Sequence, residues 1–277
     1  TNAVTLVQNG SDKIGGSAIN AVLSNEGIAV TLVFIDSTQG WLVTDSGLQS
    51  EAPGPQYVAA SGGNTTLTVC SHKVHIFTGP GTFTVCNAGN AAGSDAVEYM
   101  VVAGGGGGAS CSPGANAGMG GGGAGGWRGF TALPTSTPLV APAALPVSAQ
   151  GYPITVGGGG PGGAFSGTHD GTNGNNSIFS TITSTAGGGG GYGCGSSRKG
   201  SAGGSGGGTG RDGPGGVSSG NPPPTTPAQG EPGGDSVSGP YGGAGGGGGA
   251  GGAGGNGSTS NSNPTEVGGV GGLGAHF

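Results

Sequence analysis

Short hydrophobic runs rich in β-branched residues mark the first fifty residues of the chain. Asn9-Gly10 is a turn signal between two of them, and Gly40 opens the last. These strands offer too little apolar surface for an independent core of comfortable size. The pattern predicts that residues 1–50 are an N-terminal β-module for attachment and oligomerisation, since partner copies would supply the missing surface. The candidate strands are residues 4–7, 14–23, 29–35 and 40–43.

A change of composition separates this module from a second β segment. Residues 51–63 carry Pro53-Gly54-Pro55 and are typical of a linker. Residues 64–102 then alternate between apolar and polar positions, which predicts a sandwich-like β segment. Within it, Thr78-Gly79-Pro80-Gly81 predicts a turn, from which residues 82–85 return as the second strand of a hairpin.

Glycine dominates the chain from residue 103 onward, where residues 103–277 hold 63 of the 76 glycines. The glycines are consecutive instead of occupying every third position, which excludes a collagen triple helix. Strand-like segments at residues 96–102, 152–156 and 178–182 enter glycine runs, and such strands are not typical of a Gly/Ser linker. The recurring order of strand, glycine run and loop is typical of a structural array.

An ordered glycine segment requires lateral hydrogen bonding of its backbone. Fixing one residue costs about 1–2 kcal/mol, with glycine at the high end, whereas a hydrogen bond returns a net ~0.5–1.5 kcal/mol. Extended left-handed helices with three residues per turn can bond to several neighbours at once. The predicted fold class is mainly β, with small N-terminal β-modules followed by a polyglycine-II-type helix sandwich over residues 103–277. Short strands are interspersed, display loops lie at the two ends, and there is essentially no α-helix.

Charge and composition exclude several classes of protein. Only 6% of residues are charged and the net charge is −6, which opposes binding to nucleic acid or to an anionic membrane. No apolar run approaches the roughly 20 residues that a membrane helix needs. Cys70, Cys86, Cys111 and Cys194 do not show zinc-type spacing. Free thiols and disulfides both remain open for them.

The candidates for catalytic or metal chemistry have simpler structural interpretations. Glycine composition alone produces GxGxxG matches, and no helix follows to hold a pyrophosphate. His72 and His75 lie three apart on a strand and face opposite sides, which disfavours a shared metal. His169-Asp170 fits a solvated loop, and scattered acids such as Asp212 and Glu231 fit loop charges. We expect no enzymatic activity, no cofactor and no metal.

One stretch of the chain carries a family resemblance. Residues 97–103, Val-Glu-Tyr-Met-Val-Val-Ala, open directly onto Gly104–Gly108, and Trp127-Arg128-Gly129 follows a later glycine run. In this order the chain resembles the glycine-rich domain of bacteriophage tail-fibre and tail-fibre adhesin proteins, over residues 65–200 and more loosely over residues 1–43. The resemblance implies a virion surface fibre or fibre tip, usually a homotrimer along its shaft.

The pattern and the resemblance together predict a structural and adhesive virion protein that presents receptor-binding loops. The expected partners are further copies of the chain, other tail proteins through the N-terminal region, and a host surface glycan or outer-membrane protein. Nucleic acid and membrane insertion are not expected. Aromatic and basic residues that interrupt the glycines are the candidate receptor contacts, since such residues often anchor interfaces. These are Trp127, Arg128, Tyr192, Arg198, Lys199 and Tyr241.

Two other interpretations remain open at this point. The aromatic candidates could instead pack within the glycine sandwich. The alternative function is a virion decoration or cell-surface structural protein without a receptor role, and a depolymerase-type enzyme is a third option.

Overall fold

Short strands and extended backbone form the whole of the described structure. The computed structural model describes residues 3–48, 55–91, 93–111, 118–133, 139–166, 169–194, 199–211, 216–239, 242–259 and 267–275. Within them there is no helix, so none could cross a membrane, and the predicted mainly-β fold class is confirmed. The strands are β1 Val4–Leu6, β2 Ala21–Leu23, β3 Ile28–Asp36, β4 Gly40–Leu48, β5 Val58–Ser61, β6 Thr65–Val69, β7 His72–Ile76, β8 Gly81–Ala88, β9 Ala96–Val97, β10 Tyr99–Val102, β11 Trp127–Phe130, β12 Leu145–Pro146, β13 Gly151–Thr155, β14 Ser177–Phe179 and β15 Ile182–Ser184.

The chain divides into two compact units. Unit 1 contains Thr1–Tyr57 and Gly89–Ser94, and unit 2 contains Val58–Ala88 and Asp95–Phe277. The range 51–63, for which the sequence predicted a linker, contains β5, which belongs to the main sheet of unit 2.

Unit 1 consists of two antiparallel strand pairs, β1–β2 and β3–β4. The Phe34 and Trp41 rings pack edge to face across β3 and β4 with their centroids 5.5 Å apart. Gly40 begins β4 with a φ of 72°, and a Cβ there would overlap the Lys13 carbonyl. That carbonyl accepts the Trp41 N–H at 2.8 Å, which ties the preceding segment to the hairpin. Among the described side chains, every buried hydrophobic one lies in unit 2, so unit 1 shows no apolar core of its own.

Unit 2 contains a five-stranded antiparallel sheet in the order β15-β14-β13-β8-β5. Its core consists of Phe83 and Val85 from β8, Tyr152 from β13, and Val147. The sequence predicted that residues 82–85 return as a hairpin, but this prediction is wrong. β7 pairs with β6, whereas β8 pairs with β5 and β13, because that pairing buries Phe83 against Tyr152.

A second correction concerns residues 178–182, which the sequence predicted as one strand. They form a hairpin instead, in which β14 and β15 pair with Ile178 opposite Thr183. Ser180 occupies the turn with a φ of 54°, a conformation that a continuous strand does not contain. The hairpin directs the chain from one glycine segment into the next.

The glycine segment folds into extended rods, which we number in chain order. Within the described residues they are rod 1 (103–110), rod 2 (118–126), rod 3 (156–163), rod 4 (169–176), rod 5 (185–191), rod 6 (199–204), rod 7 (205–210), rod 8 (217–220), rod 9 (230–238), rod 10 (242–249), rod 11 (251–258) and rod 12 (267–275). Successive rods run in opposite directions along one common axis, as the register of their hydrogen bonds shows.

Hydrogen bonds between rods recur every three residues. Ala103, Gly106 and Ala109 of rod 1 donate to carbonyls 126, 123 and 120 of rod 2, at 3.1, 2.9 and 3.1 Å. A three-residue period is that of an extended left-handed helix, so the predicted polyglycine-II-type sandwich is present. Rod 5 bonds to rods 1, 2, 4, 6 and 7, and rod 10 bonds to rods 2, 7, 9, 11 and 12. Each of these two central rods is thereby surrounded by backbone partners.

Close approach of the backbones explains why the rods require glycine. A Cβ at Gly107 would overlap the carbonyl of Pro161, and one at Gly190 would overlap that of Gly120. No glycine within the described rods has a φ in the left-handed region. The requirement is therefore for a missing side chain and not for an unusual backbone conformation. Gly158 and Gly271, on the outer rods 3 and 12, have open space where a Cβ would stand.

Candidate functional site at the loop end

The alternating rods divide the chain's connections between two ends of the sandwich. One end, the sheet end, carries β10, β11, β13, β14 and β15, which enter or leave rods 1 to 5. At the other end, the loop end, the described parts of the connections between successive rods contain no strand. The loop-end segments are residues 111–117, 164–168, 192–198, 211–216, 239–241 and 259–266. Loops held by a rigid scaffold commonly carry binding, which makes the loop end the candidate site.

A small polar and aromatic cluster is described at the loop end. The His169 and Tyr192 rings pack with their centroids 4.6 Å apart and their planes inclined by 40°. The His169 Nδ1 lies 2.7 Å from the Ala164 carbonyl, which also accepts the Ser110 hydroxyl at 2.8 Å. The Asp170 carboxylate accepts the Tyr192 N–H at 2.7 Å. Three loop segments are therefore fastened to one another where they leave rods 1, 3 and 5.

The hydrogen bonds of this cluster engage one ring nitrogen of His169 and one carboxylate oxygen of Asp170. The imidazole Nδ1 is engaged by the Ala164 carbonyl, and the carboxylate is engaged by the Tyr192 backbone. These two contacts hold Tyr192 against the first residues of rod 4. In the neighbouring segment Phe165 is 71% exposed, which places a large apolar side chain in solvent beside the cluster. Among the described residues, no group of three or more His, Cys, Asp or Glu side chains could hold a metal ion.

The structure separates the predicted receptor contacts between the two ends. Tyr192 and Lys199 lie at the loop end, where Tyr192 is half-buried and Lys199 is exposed. Arg198 and Tyr241 belong to loop-end segments but lie outside the described residues. Trp127 and Arg128 lie at the sheet end, in β11.

Trp127 and Arg128 occupy a packed environment. Trp127 is 6% exposed, and its backbone N–H donates to the Gln229 backbone carbonyl at 2.7 Å. Arg128 is half-buried opposite Val101 of β10. Burial raises the pKa of the neighbouring Tyr99, and the Arg128 guanidinium partly offsets that rise. Both residues therefore pack where β10 and β11 meet the rods, whereas Lys199 is exposed.

Gln229 is a structural residue that the sequence did not reveal. Its side chain is 1% exposed, accepts the Thr185 N–H at 2.8 Å and donates to the Pro223 carbonyl at 3.3 Å. Asn221, with a φ of 60°, accepts the N–H groups of Thr225 and Gln229. These bonds close residues 221–229 on themselves at the sheet end. No periodic signal in the sequence marks a lone glutamine of this kind.

Comparison with known proteins bears on the glycine segment. No curated protein and no solved structure is similar enough to this chain to count as a match. The sequence model of one family, described as a glycine-rich domain, matches residues 78–276. The match spans more than two thirds of the chain and includes all the rods described above. The chain therefore belongs to the glycine-rich domain family.

Proposed function

We propose that this protein is a non-enzymatic adhesin of a virion, a bacteriophage tail fibre or fibre tip that presents loop-end residues to a host-surface receptor. The observation that carries the proposal is the alternation of the rods. It gathers six connecting segments at one end of a scaffold whose backbone groups bond to one another. Such a scaffold holds the roots of the loops in place, and this reduces the ordering cost of binding.

The residue types at the loop end support the same assignment. Tyr192 and Lys199 lie at the loop end, and Arg198 and Tyr241 belong to segments that join rods there, in a chain in which only 6% of residues are charged. Aromatic rings and cationic groups suit a surface glycan or an outer-membrane protein loop, since both present hydroxyl and carboxylate groups beside apolar patches. Several fibres on one particle would convert weak single contacts into firm attachment.

Unit 1 supplies the proposed means of assembly. Phe34, Trp41 and Val43 lie on one face of the β3–β4 hairpin, and each is exposed by 40% or more. An isolated two-stranded hairpin is marginally stable at best in water. We propose that further copies of the chain cover this apolar face, in a homotrimer that also attaches to other tail proteins.

The test uses the separation of the two ends. The fluorescently labelled full chain is incubated with a panel of bacterial strains, and binding is measured by flow cytometry. On any strain that binds, Phe165→Ser combined with Lys199→Glu should weaken binding about 5- to 30-fold, as expected for the loss of interface anchors. The matched control is Arg128→Gln at the sheet end, which should bind as the unchanged chain does.

Weaker binding by Arg128→Gln, together with unchanged binding by the Phe165→Ser and Lys199→Glu double variant, would assign recognition to the sheet end and refute the loop-end proposal. If no strain in a broad panel binds the chain, the alternative of a decoration or cell-surface structural protein is favoured. Release of oligosaccharide from a bound surface polysaccharide would support the depolymerase option instead.

A further inference from the structure

We propose that Asn9 is a site of spontaneous modification in the folded protein, where the side-chain amide is lost as ammonia and aspartate or isoaspartate replaces the asparagine. The chain contains three Asn-Gly pairs, Asn9-Gly10, Asn173-Gly174 and Asn256-Gly257. The same two residue types stand in three different surroundings, so the fold decides which pair reacts. The site is independent of the receptor role, because it depends only on the contacts of these three pairs.

The reaction needs water and no other reactant. The backbone nitrogen of the glycine loses its proton and attacks the asparagine Cγ, and the side-chain nitrogen leaves as ammonia. A five-membered succinimide ring then joins the side chain to the main chain. Water opens this ring at either of its two carbonyl groups, which gives aspartate or isoaspartate. Glycine after the asparagine favours the attack, because it has no side chain to hinder the approach.

This chemistry sets two conditions on the folded structure. The glycine N–H has to be accessible to base, and a hydrogen bond to a carbonyl within packed structure protects such a proton until the structure opens locally. The asparagine side chain also has to rotate into the plane of its own carbonyl group. An extended rod allows that rotation of the main chain only by losing its lateral hydrogen bonds.

The Asn9 pair meets both conditions. Asn9 and Gly10 are exposed, and neither the Asn9 side-chain amide nor the Gly10 N–H has a hydrogen-bond partner among the residues that the structure describes. The pair lies in a turn that the Asp12 N–H closes on the Asn9 carbonyl at 3.0 Å. Gly10 has a φ of 61°, and a Cβ there would meet nothing within 4 Å. The turn therefore leaves room for the ring to form.

The Asn173 pair is held within rod 4. The Asn173 side-chain oxygen accepts the Gly189 N–H at 2.9 Å, and the side-chain nitrogen donates to the Ala202 carbonyl at 3.4 Å. The Gly174 N–H donates to the Gly187 carbonyl at 3.1 Å. Both reacting groups are thus engaged by neighbouring rods. A Cβ at Gly174 would overlap the carbonyl of residue 104, so the space beside the attacking nitrogen is also filled.

The Asn256 pair is held in the same way within rod 11. The Asn256 side-chain oxygen accepts the Asp235 N–H at 2.8 Å, and the Gly257 N–H donates to the Asp235 carbonyl at 2.9 Å. Gly257 is buried, and a Cβ there would overlap the Gly243 carbonyl. A single residue of rod 9 therefore restrains both reacting groups.

Modification at Asn9 has a defined structural consequence. Isoaspartate lengthens the main chain by one methylene group and adds a carboxylate to the turn that contains Asp12. Lys13 follows directly, and its carbonyl accepts the Trp41 N–H of β4. The change thus acts on the segment that leads to the β3–β4 hairpin, whereas the rods keep their three-residue register.

The test incubates the full chain at mildly alkaline pH and compares it with an unincubated sample. Trypsin, added after unfolding, cleaves after lysine and arginine and places the three pairs on separate peptides, residues 1–13, 129–198 and 212–277. Mass spectrometry with fragmentation then locates each conversion of amide to acid. Loss of ammonia at Asn173 and Asn256 should be at least about fivefold slower than at Asn9, because two lateral bonds at each rod site must open first.

Two controls separate the fold from the local sequence. The same incubation in guanidinium chloride removes the rods, and the three pairs should then react at similar rates. Asn9→Ser should leave residues 1–13 unmodified in the folded chain. Reaction at Asn173 or Asn256 as fast as at Asn9 in the folded chain would overturn the proposal. An unmodified Asn9, or an unchanged order of rates after unfolding, would overturn it equally.

Discussion

The missing side chain at Gly107 is the feature of the rods that is most directly testable. In rod 1, a Cβ at Gly107 would overlap the carbonyl of Pro161, which accepts the Thr172 N–H at 3.0 Å. A Cβ at the adjacent Gly108 would lie 3.8 Å from the Gly120 carbonyl, an ordinary contact. The two glycines are neighbours in one rod and neither has a positive φ. They differ in burial and in what a methyl group would meet, because Gly107 is buried and Gly108 is exposed.

The free-energy cost of Gly107→Ala follows from these contacts. Gly107→Ala overpacks the lattice at a cost of about 1–3 kcal/mol, and displacing the Pro161 carbonyl loses its hydrogen bond with Thr172 at about 0.5–1.5 kcal/mol, since both residues are exposed. Restriction of the unfolded chain returns about 0.4–1 kcal/mol. The net expectation is a loss of roughly 0.5–4 kcal/mol in the free energy of unfolding. Gly108→Ala meets no such contact and should gain about 0.4–1 kcal/mol.

Thermal unfolding of the full chain, followed by calorimetry, measures the difference. At about 2–4 °C per kcal/mol for a unit of this size, Gly107→Ala should lower the melting temperature of unit 2 by roughly 1–16 °C. Gly108→Ala should raise it by about 1–4 °C. A second pair in rod 12 repeats the comparison, because a Cβ at Gly272 would overlap the Gly252 carbonyl, whereas Gly271 has open space. Equal melting temperatures within both pairs would refute the close-packed lattice.

Three further predictions concern other parts of the chain. Gln229→Met keeps the size of the buried side chain but leaves the Thr185 N–H without its acceptor, and should lower the free energy of unfolding by about 1–3 kcal/mol in urea titrations; an unchanged midpoint would contradict a structural role. Arg128→Gln removes the charge that offsets the raised pKa of Tyr99, so that pKa should rise further. The midpoint of the Tyr99 ionisation, followed by absorbance at 295 nm with Tyr99→Phe as the reference, should then move to higher pH. A move to lower pH would contradict the role of Arg128 as the charge that lowers this pKa. Finally, Phe34→Ser should lower the oligomeric state or raise the concentration needed for assembly in sedimentation experiments, because it removes a 47% exposed ring from the face assigned to further copies; unchanged assembly would place the contact elsewhere.

Local pattern was sufficient for much of the fold. The β-branched run at residues 29–35 lies in β3, residues 96–102 form β9 and β10, and residues 152–155 lie in β13. The prediction of glycine rods succeeded because consecutive glycines leave backbone bonding as the only source of order. The pairing partners of the strands were harder to predict from sequence. β8 pairs with β13, which lies some seventy residues further along the chain, and alternation within residues 82–85 carries no information about that partner.

The site was predictable only as a set of residue types. Sequence selected Trp127 and Tyr192 for the same reason, namely that aromatic side chains interrupt the glycines. The fold treats them differently, since Trp127 is packed at the sheet end and Tyr192 lies against His169 at the loop end. The buried Gln229 gave no signal at all, because its role depends on its hydrogen-bond partners. Thr185 lies 44 residues away in the sequence, and Pro223 lies in the turn that Gln229 closes.

The amino-acid sequence by itself determined which structural elements this protein contains: strands from β-branched runs and rods from consecutive glycines. It also determined that the surface carries few charges. Only the tertiary structure decided which rods touch, and hence which glycines cannot carry a side chain and which can. Gly107 and Gly108 are chemically identical, and only the fold distinguishes them, by burying Gly107 where a Cβ would overlap the Pro161 carbonyl. The same register gathered the loops at one end, because lateral bonds every third residue fix each rod's height against its neighbours.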